Sequence, residues 1–184
     1  DLLGFKAEIM ESQRYKFTST IGNINTYTSC VAMVMAYAGV MFAAAREKKK
    51  AAGYGLCTVV AFFALILGES DNGYLSLAAF FGLLPLYAFR SGRGIWRYVL
   101  LAAAFFTAVA LVGVILRVME GQVVPITGLF QVIAGSRFLP GMVAVLWLAT
   151  GGCYLWERAG VFERPSVTSM LIKSWLVLLA AMTL

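Results

Sequence analysis

The chain has 184 residues, of which 61% are hydrophobic and 13% are charged, and its formal net charge is +6. Soluble domains are about 45–50% apolar even when glycine is counted. This composition disfavours a soluble enzyme, a disulfide-stapled secreted module and a disordered tail, and it predicts an integral membrane protein. The chain begins at Asp1 and ends at Leu184 within an apolar run, so we expect it to be part of a longer protein.

Charged residues separate uncharged runs, most of which are long enough for a helix to cross about 30 Å of hydrocarbon. The runs lack the two-residue alternation of a membrane β-barrel. We therefore expect an all-α fold, with a polar segment at residues 1–24 and a polytopic transmembrane helical bundle at residues 25–184. In chain order, the six predicted spans are residues 25–45, 51–68, 74–89, 98–116, 139–156 and 167–184. Residues 121–136 contain Pro125, Gly128 and Gly135, so we interpret them as an interfacial or re-entrant loop.

Loops rich in lysine and arginine alternate along the chain with a loop that has none. Residues 46–50 carry four positive charges and the loop after the third span carries Arg90, Arg93 and Arg97, whereas residues 69–73 carry none. Positive loops are retained on the cytoplasmic side, so the first span is predicted to run from outside to inside. This orientation of the chain in the membrane accounts for most of its net positive charge. No basic stripe with interleaved aromatic residues indicates a nucleic-acid partner.

Few side chains are suited to metal binding or to general base catalysis. Histidine is absent, and Cys30, Cys57 and Cys153 fall within predicted spans without CxxC spacing. Lipid-buried thiols behave as small apolar groups, so the sequence predicts no metal site. Acid or base chemistry would fall to carboxylates, and those near the outer face are Glu69, Asp71 and Glu120. The sequence does not identify a catalytic base.

A polar cluster precedes the first predicted span. Arg14 and Lys16 are followed by threonine, serine and asparagine residues that include Asn23 and Asn25. The simpler interpretation is a helix N-cap with interfacial cations. The functional interpretation is that an outward helix start beside two cations binds an anion such as a phosphate. The residues leave both interpretations open.

A second polar cluster, ESDNGY at residues 69–74, opens the third predicted span from the same face. It suits a turn, with Asp71 complementing the helix dipole and Tyr74 as an interfacial anchor. A single helical hairpin separates the two clusters, so we also expect them to be neighbours in space. Together they would form an outward-facing polar pocket.

The order of these features resembles the bacterial O-antigen ligase and polymerase family. The similarity covers residues 14–98 and rests on FTSTIGNIN at residues 17–25 and SDNGYL at residues 70–75, separated by two spans and a basic loop. It implies a membrane glycosyltransferase in the bacterial cytoplasmic membrane. Such an enzyme transfers a glycan from undecaprenyl pyrophosphate to a glycan or lipid acceptor at the outer face, without nucleotide sugar, metal or other cofactor.

Two features depart from the family's pattern. Many members have Ser-Arg where this chain has Ser70 and Asp71, so an arginine expected to meet the pyrophosphate is missing there. The family's large outer loop, which has further arginines and often a histidine, has only a short counterpart without histidine at residues 117–137. Either that loop lies beyond Leu184, or this chain has altered chemistry. The resemblance therefore implies pyrophosphate binding by Arg14 and Lys16, positioning by Asn23 and Asn25, and a polar partner in Asp71.

Two other classes of function are kept as alternatives. A transporter or flippase subunit would use the outward pocket as one state of an alternating-access site, and it would carry mid-membrane ionisable groups and internal repeats. The sequence shows neither feature. A non-catalytic membrane scaffold or sensor component would need only the capping and anchoring roles described above.

Overall fold

The computed structural model describes residues 23–119, 126–163 and 165–183, which fold into helices joined by short connections. In chain order, the helices are α1 (Ile24–Ala44), α2 (Lys48–Gly68), α3 (Asp71–Ala88), α4 (Gly92–Val118), α5 (Gly128–Gly135), α6 (Leu139–Arg158) and α7 (Pro165–Thr183). A 3-10 turn, Val161–Glu163, lies between α6 and α7. The described ranges contain no strand, which confirms the predicted all-α fold.

Four helices, α1, α2, α4 and α6, are long and apolar enough to cross a membrane. Helix α3 begins with the polar residues Asp71 and Asn72, and the apolar stretch of α7, Ser166–Ala181, is shorter. The predicted count of six spans is therefore not reached among the described residues, where four helices meet the requirement. The multi-pass helical bundle itself is confirmed.

Helix α4 packs against α1, α2, α3, α5 and α6 and so connects most of the bundle. Lipid tails are as apolar as the core, so close packing and interhelical hydrogen bonds hold the helices together. The fully buried Phe62 of α2 stacks on Phe81 of α3 with 5.7 Å between ring centroids, and it meets Phe105 of α4 edge-on at 5.3 Å. The indole N–H of Trp147 in α6 donates to the hydroxyl of Thr107 in α4 at 3.1 Å. Aromatic side chains thus join four of the helices.

Successive long helices run in opposite directions, so their termini gather at two faces of the bundle. We call the face where α1 and α3 begin and α2 ends the polar end. It carries Asn23, Asn25, Glu69, Ser70 and Asp71. We call the opposite face, where α1 and α3 end and α2 and α4 begin, the basic end. It carries Arg46, Lys48, Lys49, Lys50, Arg90 and Arg93.

Arg97, which was expected in a loop, lies inside α4 at the basic end. The helix begins at Gly92, six residues before the predicted start of the span at residue 98. Arg97 is only 5% exposed, and its Nη1 donates hydrogen bonds of 2.6 Å to the carbonyl oxygens of Phe42 and Ala45. The last carbonyl groups of a helix lack partners within that helix and carry partial negative charge. Arg97 satisfies these groups where α1 ends.

Candidate functional site

The first side chain of the polar end, Asn23, is the N-cap of α1. Its backbone is extended, and its Oδ1 accepts hydrogen bonds from the backbone N–H groups of Asn25 at 2.9 Å and Thr26 at 3.4 Å. An asparagine cap stabilises a helix start by satisfying N–H groups that have no intrahelical partner. Asn23 therefore acts as a helix cap, as the simpler interpretation of the sequence predicted.

The two polar helix starts are in direct contact. The Ser70 hydroxyl donates a hydrogen bond to Oδ1 of Asn25 at 3.0 Å. Ser70 is the N-cap residue of α3, yet its side chain does not cap that helix. Ser70 is buried, with 5% of its surface exposed, and its hydroxyl binds a residue of α1 rather than the start of α3. The expectation that the two polar clusters are neighbours is confirmed.

Several hydrogen-bond donors at this end remain available for a ligand. Because the Ser70 side chain points to α1, the backbone N–H groups of Asp71 and Asn72 form no hydrogen bond with the described residues. The amide Nδ2 groups of Asn23 and Asn25 likewise donate to no described residue, since both oxygens act as acceptors. These N–H groups suit an oxygen-rich ligand such as a phosphate or a sugar.

Asp71 is the first residue of α3 and is exposed. Its carboxylate forms no ion pair or side-chain hydrogen bond with the described residues. A carboxylate at this position complements the positive end of the helix dipole and accepts hydrogen bonds. It is therefore free to accept hydrogen bonds from the hydroxyl groups of a ligand.

Glu69 links the same turn to a distant part of the chain, a role that the sequence analysis missed. Its Oε1 accepts the Thr127 backbone N–H at 2.8 Å, and its Oε2 accepts the Thr127 hydroxyl at 2.7 Å. Its backbone is left-handed, with φ 46° and ψ 41°. That conformation costs a residue other than glycine about 1–2 kcal/mol, and two charge-assisted hydrogen bonds offset the cost. No sequence signal marks a glutamate for this conformation or identifies its partner.

The segment interpreted as an interfacial or re-entrant loop contains the short helix α5 at the polar end. Phe130 of α5 is 2% exposed and packs against Tyr74 of α3 with 4.8 Å between ring centroids. Gly128 precedes it with φ +70°, and an added Cβ there would lie 2.7 Å from the Tyr74 hydroxyl. Tyr74, interpreted from the sequence as an interfacial anchor, therefore also packs α5 onto α3.

The cations assigned to the pyrophosphate, Arg14 and Lys16, lie outside the described residues. Within the described residues of the polar end, Arg117 donates to the Ala134 carbonyl at 3.3 Å, and Arg137 lies 6.0 Å from the ring of Phe138. No group of three or more histidine, cysteine, aspartate or glutamate residues that could hold a metal ion occurs in the described ranges. Besides these two arginines, the described part of the polar end consists of amide, hydroxyl, carboxylate and backbone N–H groups.

Comparison of the chain with protein-family models, curated proteins and solved structures finds no match. The resemblance to O-antigen ligases and polymerases thus rests on the motif residues themselves.

Proposed function

We propose that the chain is part of an O-antigen ligase- or polymerase-like membrane glycan transferase. It would bind an undecaprenyl-pyrophosphate-linked glycan at its polar end, on the outer face of the bacterial cytoplasmic membrane. The hydrogen bond between Ser70 and Asn25 carries the proposal, because it joins the two motif segments on which the resemblance rests. The first segment contributes the amide groups of Asn23 and Asn25, and the second contributes the exposed carboxylate of Asp71.

Each role proposed for a described residue uses a group that is available for it. Arg14 and Lys16, which precede α1 in the sequence, would bind the pyrophosphate oxygens through charge-assisted hydrogen bonds. The amide groups of Asn23 and Asn25 would donate to the pyrophosphate or to the first sugar and so position it. The exposed carboxylate of Asp71 would accept hydrogen bonds from sugar hydroxyl groups.

In the proposed reaction, an acceptor hydroxyl attacks the anomeric carbon of the lipid-linked glycan. The bond from that carbon to the pyrophosphate oxygen breaks, undecaprenyl pyrophosphate leaves with the electron pair, and the proton of the attacking hydroxyl passes to the pyrophosphate or to solvent. Cations and N–H groups placed around the leaving group stabilise the charge that develops on its oxygens. This chemistry requires positioned donors, and it uses no metal or nucleotide sugar.

The experiment that tests this function is deletion of the complete gene, followed by analysis of surface polysaccharide and lipid-linked intermediates. We expect loss or shortening of the surface polymer, with accumulation of an undecaprenyl-linked glycan that a glycosidase can reach from outside intact spheroplasts. A flippase subunit would instead leave the accumulated glycan protected at the inner face. An unchanged polymer without accumulated intermediate, in a strain lacking a second copy, would contradict both assignments and favour a scaffold.

A further inference from the structure

A cavity of about 920 Å³ opens at the basic end, between the end of α1, the turn from α3 to α4 and the end of α6. We call it the basic cavity. Its polar lining comprises Arg46, Arg90, Ser91, Arg93, Glu157 and Thr168, and Tyr87 and Phe162 contribute aromatic walls. The cavity lies across the bundle from Asn25 and Ser70, so it is independent of the proposed transferase site.

The arginines of the basic cavity are not neutralised by the described protein. None of Arg46, Arg90 and Arg93 forms an ion pair in the described ranges, and the one acid in the lining, Glu157, is also unpaired. Arg90 uses its Nε to donate to the Leu86 carbonyl at 3.2 Å, whereas Arg46 and Arg93 donate no side-chain hydrogen bond to described residues. Among the described lining residues, three guanidinium groups against one carboxylate give an excess of positive charge.

The start of α4 adds further donors to this cavity. Gly92, the first residue of α4, forms part of the lining, and Ser91 caps the helix by accepting the Gly94 N–H at 3.1 Å. The first N–H groups of a helix lack intrahelical partners, and the helix dipole favours an anion beside them. A Cβ at Gly92 would lie 2.8 Å from Cβ of Phe162, so only glycine allows Phe162 to pack this closely against the start of α4.

We infer that the basic cavity binds a phosphate-type anion, which at this level of a membrane bundle is the headgroup of an anionic phospholipid. An arginine guanidinium group can donate two parallel hydrogen bonds to two oxygens of one phosphate. Basic pockets between membrane helices bind anionic headgroups. The volume lies within the range of small-ligand sites, about 300–1,000 Å³. Free phosphate or pyrophosphate offers the same chemistry, so the test must separate the two sources.

The test uses the full-length protein purified in a neutral detergent, with thermal unfolding followed during titration of phosphatidylglycerol, phosphatidylcholine or sodium pyrophosphate. The variant carries Arg46→Gln, Arg90→Gln and Arg93→Gln together. The matched control carries Lys48→Gln, Lys49→Gln and Lys50→Gln, which remove the same charge at the same end but do not line the cavity. Purified protein is needed because the loss of basic loop residues can alter membrane orientation.

We expect phosphatidylglycerol to stabilise the unmodified protein and the lysine variant, and to bind the arginine variant at least about tenfold more weakly. Stabilisation by pyrophosphate with the same arginine dependence, and none by phosphatidylglycerol, would assign the cavity to a free anion. Equal binding by the arginine variant and the unmodified protein, or no stabilisation by either anion, would overturn the inference.

A second variant keeps the test decisive if the triple arginine variant fails to fold. Glu157→Gln removes the negative charge that Glu157 contributes to the lining without removing a hydrogen bond or ion pair of the described residues, so anion affinity should rise by about twofold to fivefold. Unchanged or weaker binding in this variant would count against an anion in the cavity.

Discussion

The Ser70 hydroxyl donates to Oδ1 of Asn25 across 45 residues of sequence, at a distance of 3.0 Å. This bond fixes the start of α3 against the start of α1, and it leaves the first N–H groups of α3 without a side-chain cap. One hydrogen bond therefore has two effects. It holds the helices in register, and it keeps donors available at the polar end.

Ser70→Ala should remove this interhelical bond and lower the stability of the bundle by about 0.5–1.5 kcal/mol. If the polar end is the transferase site, the same change should also reduce glycan transfer in a complemented deletion strain. Ser76→Ala is the matched control, because the Ser76 hydroxyl bonds only the Asn72 carbonyl within its own helix, at 2.6 Å. Equal losses of transfer in both variants would contradict a specific role for Ser70.

Replacement of Asn23 separates capping from ligand positioning. Asn23→Ala should destabilise the start of α1 by about 1 kcal/mol, and Asn23→Ser should restore that stability because serine is an equally good cap. Serine has no amide group to donate to a ligand. Full recovery of glycan transfer by Asn23→Ser would therefore show that capping is the whole role of this residue. Recovery of thermal stability without transfer would support the proposed site.

Glu69→Ala should release α5 from the turn between α2 and α3. The change removes two charge-assisted hydrogen bonds to Thr127, so local opening should become easier by about 1.5–3 kcal/mol. Hydrogen exchange of the α5 amides, measured by mass spectrometry, would then be faster by about tenfold or more. Asp71→Ala is the control, since the Asp71 carboxylate has no bound partner among the described residues, and exchange in α5 should not change.

Arg97→Met should be the most damaging single substitution of a charged residue at the basic end. It would leave the carbonyl oxygens of Phe42 and Ala45 without their buried donor, at a cost of about 3 kcal/mol in unfolding free energy. Arg93→Met, one turn earlier and exposed, should change stability by about 0.5 kcal/mol or less. Similar melting temperatures for the two variants in detergent would show that the carbonyl contacts contribute little.

Gly94→Ala should disrupt the turn from α3 to α4, because the added Cβ would overlap the Ala88 carbonyl group. Backbone atoms cannot move aside as a flexible side chain can, so we expect a loss of about 2 kcal/mol or more. Gly53→Ala is the matched control in α2, where an added Cβ meets nothing within 4 Å. There alanine should be neutral or stabilise the helix by about 0.5–1 kcal/mol. Melting temperatures of the purified variants would test both expectations.

The helices were predictable from uncharged run lengths, because in a membrane protein charges mark most helix ends. Two helix starts extend past charged residues: α2 begins at Lys48, and α4 begins at Gly92 and includes Arg97, whose buried position depends on a carbonyl group 55 residues earlier. The contact between Asn25 and Ser70 was predictable, because a single hairpin brings their helix starts together. The bond from Glu69 to Thr127 was not, because it depends on a left-handed backbone and on the return of α5 to this end.

The contact between Arg97 and the end of α1 also sets an order for biogenesis. Ribosomes add about 5–20 residues per second, so the 55 residues from Phe42 to Arg97 take about 3–11 seconds to synthesise. Throughout that interval the newly inserted first hairpin lacks the donor that will cover its buried carbonyl groups. It must use water, headgroups or the insertion machinery as temporary partners. Premature termination before α4 would therefore yield a hairpin whose last α1 carbonyl groups lack the Arg97 donor.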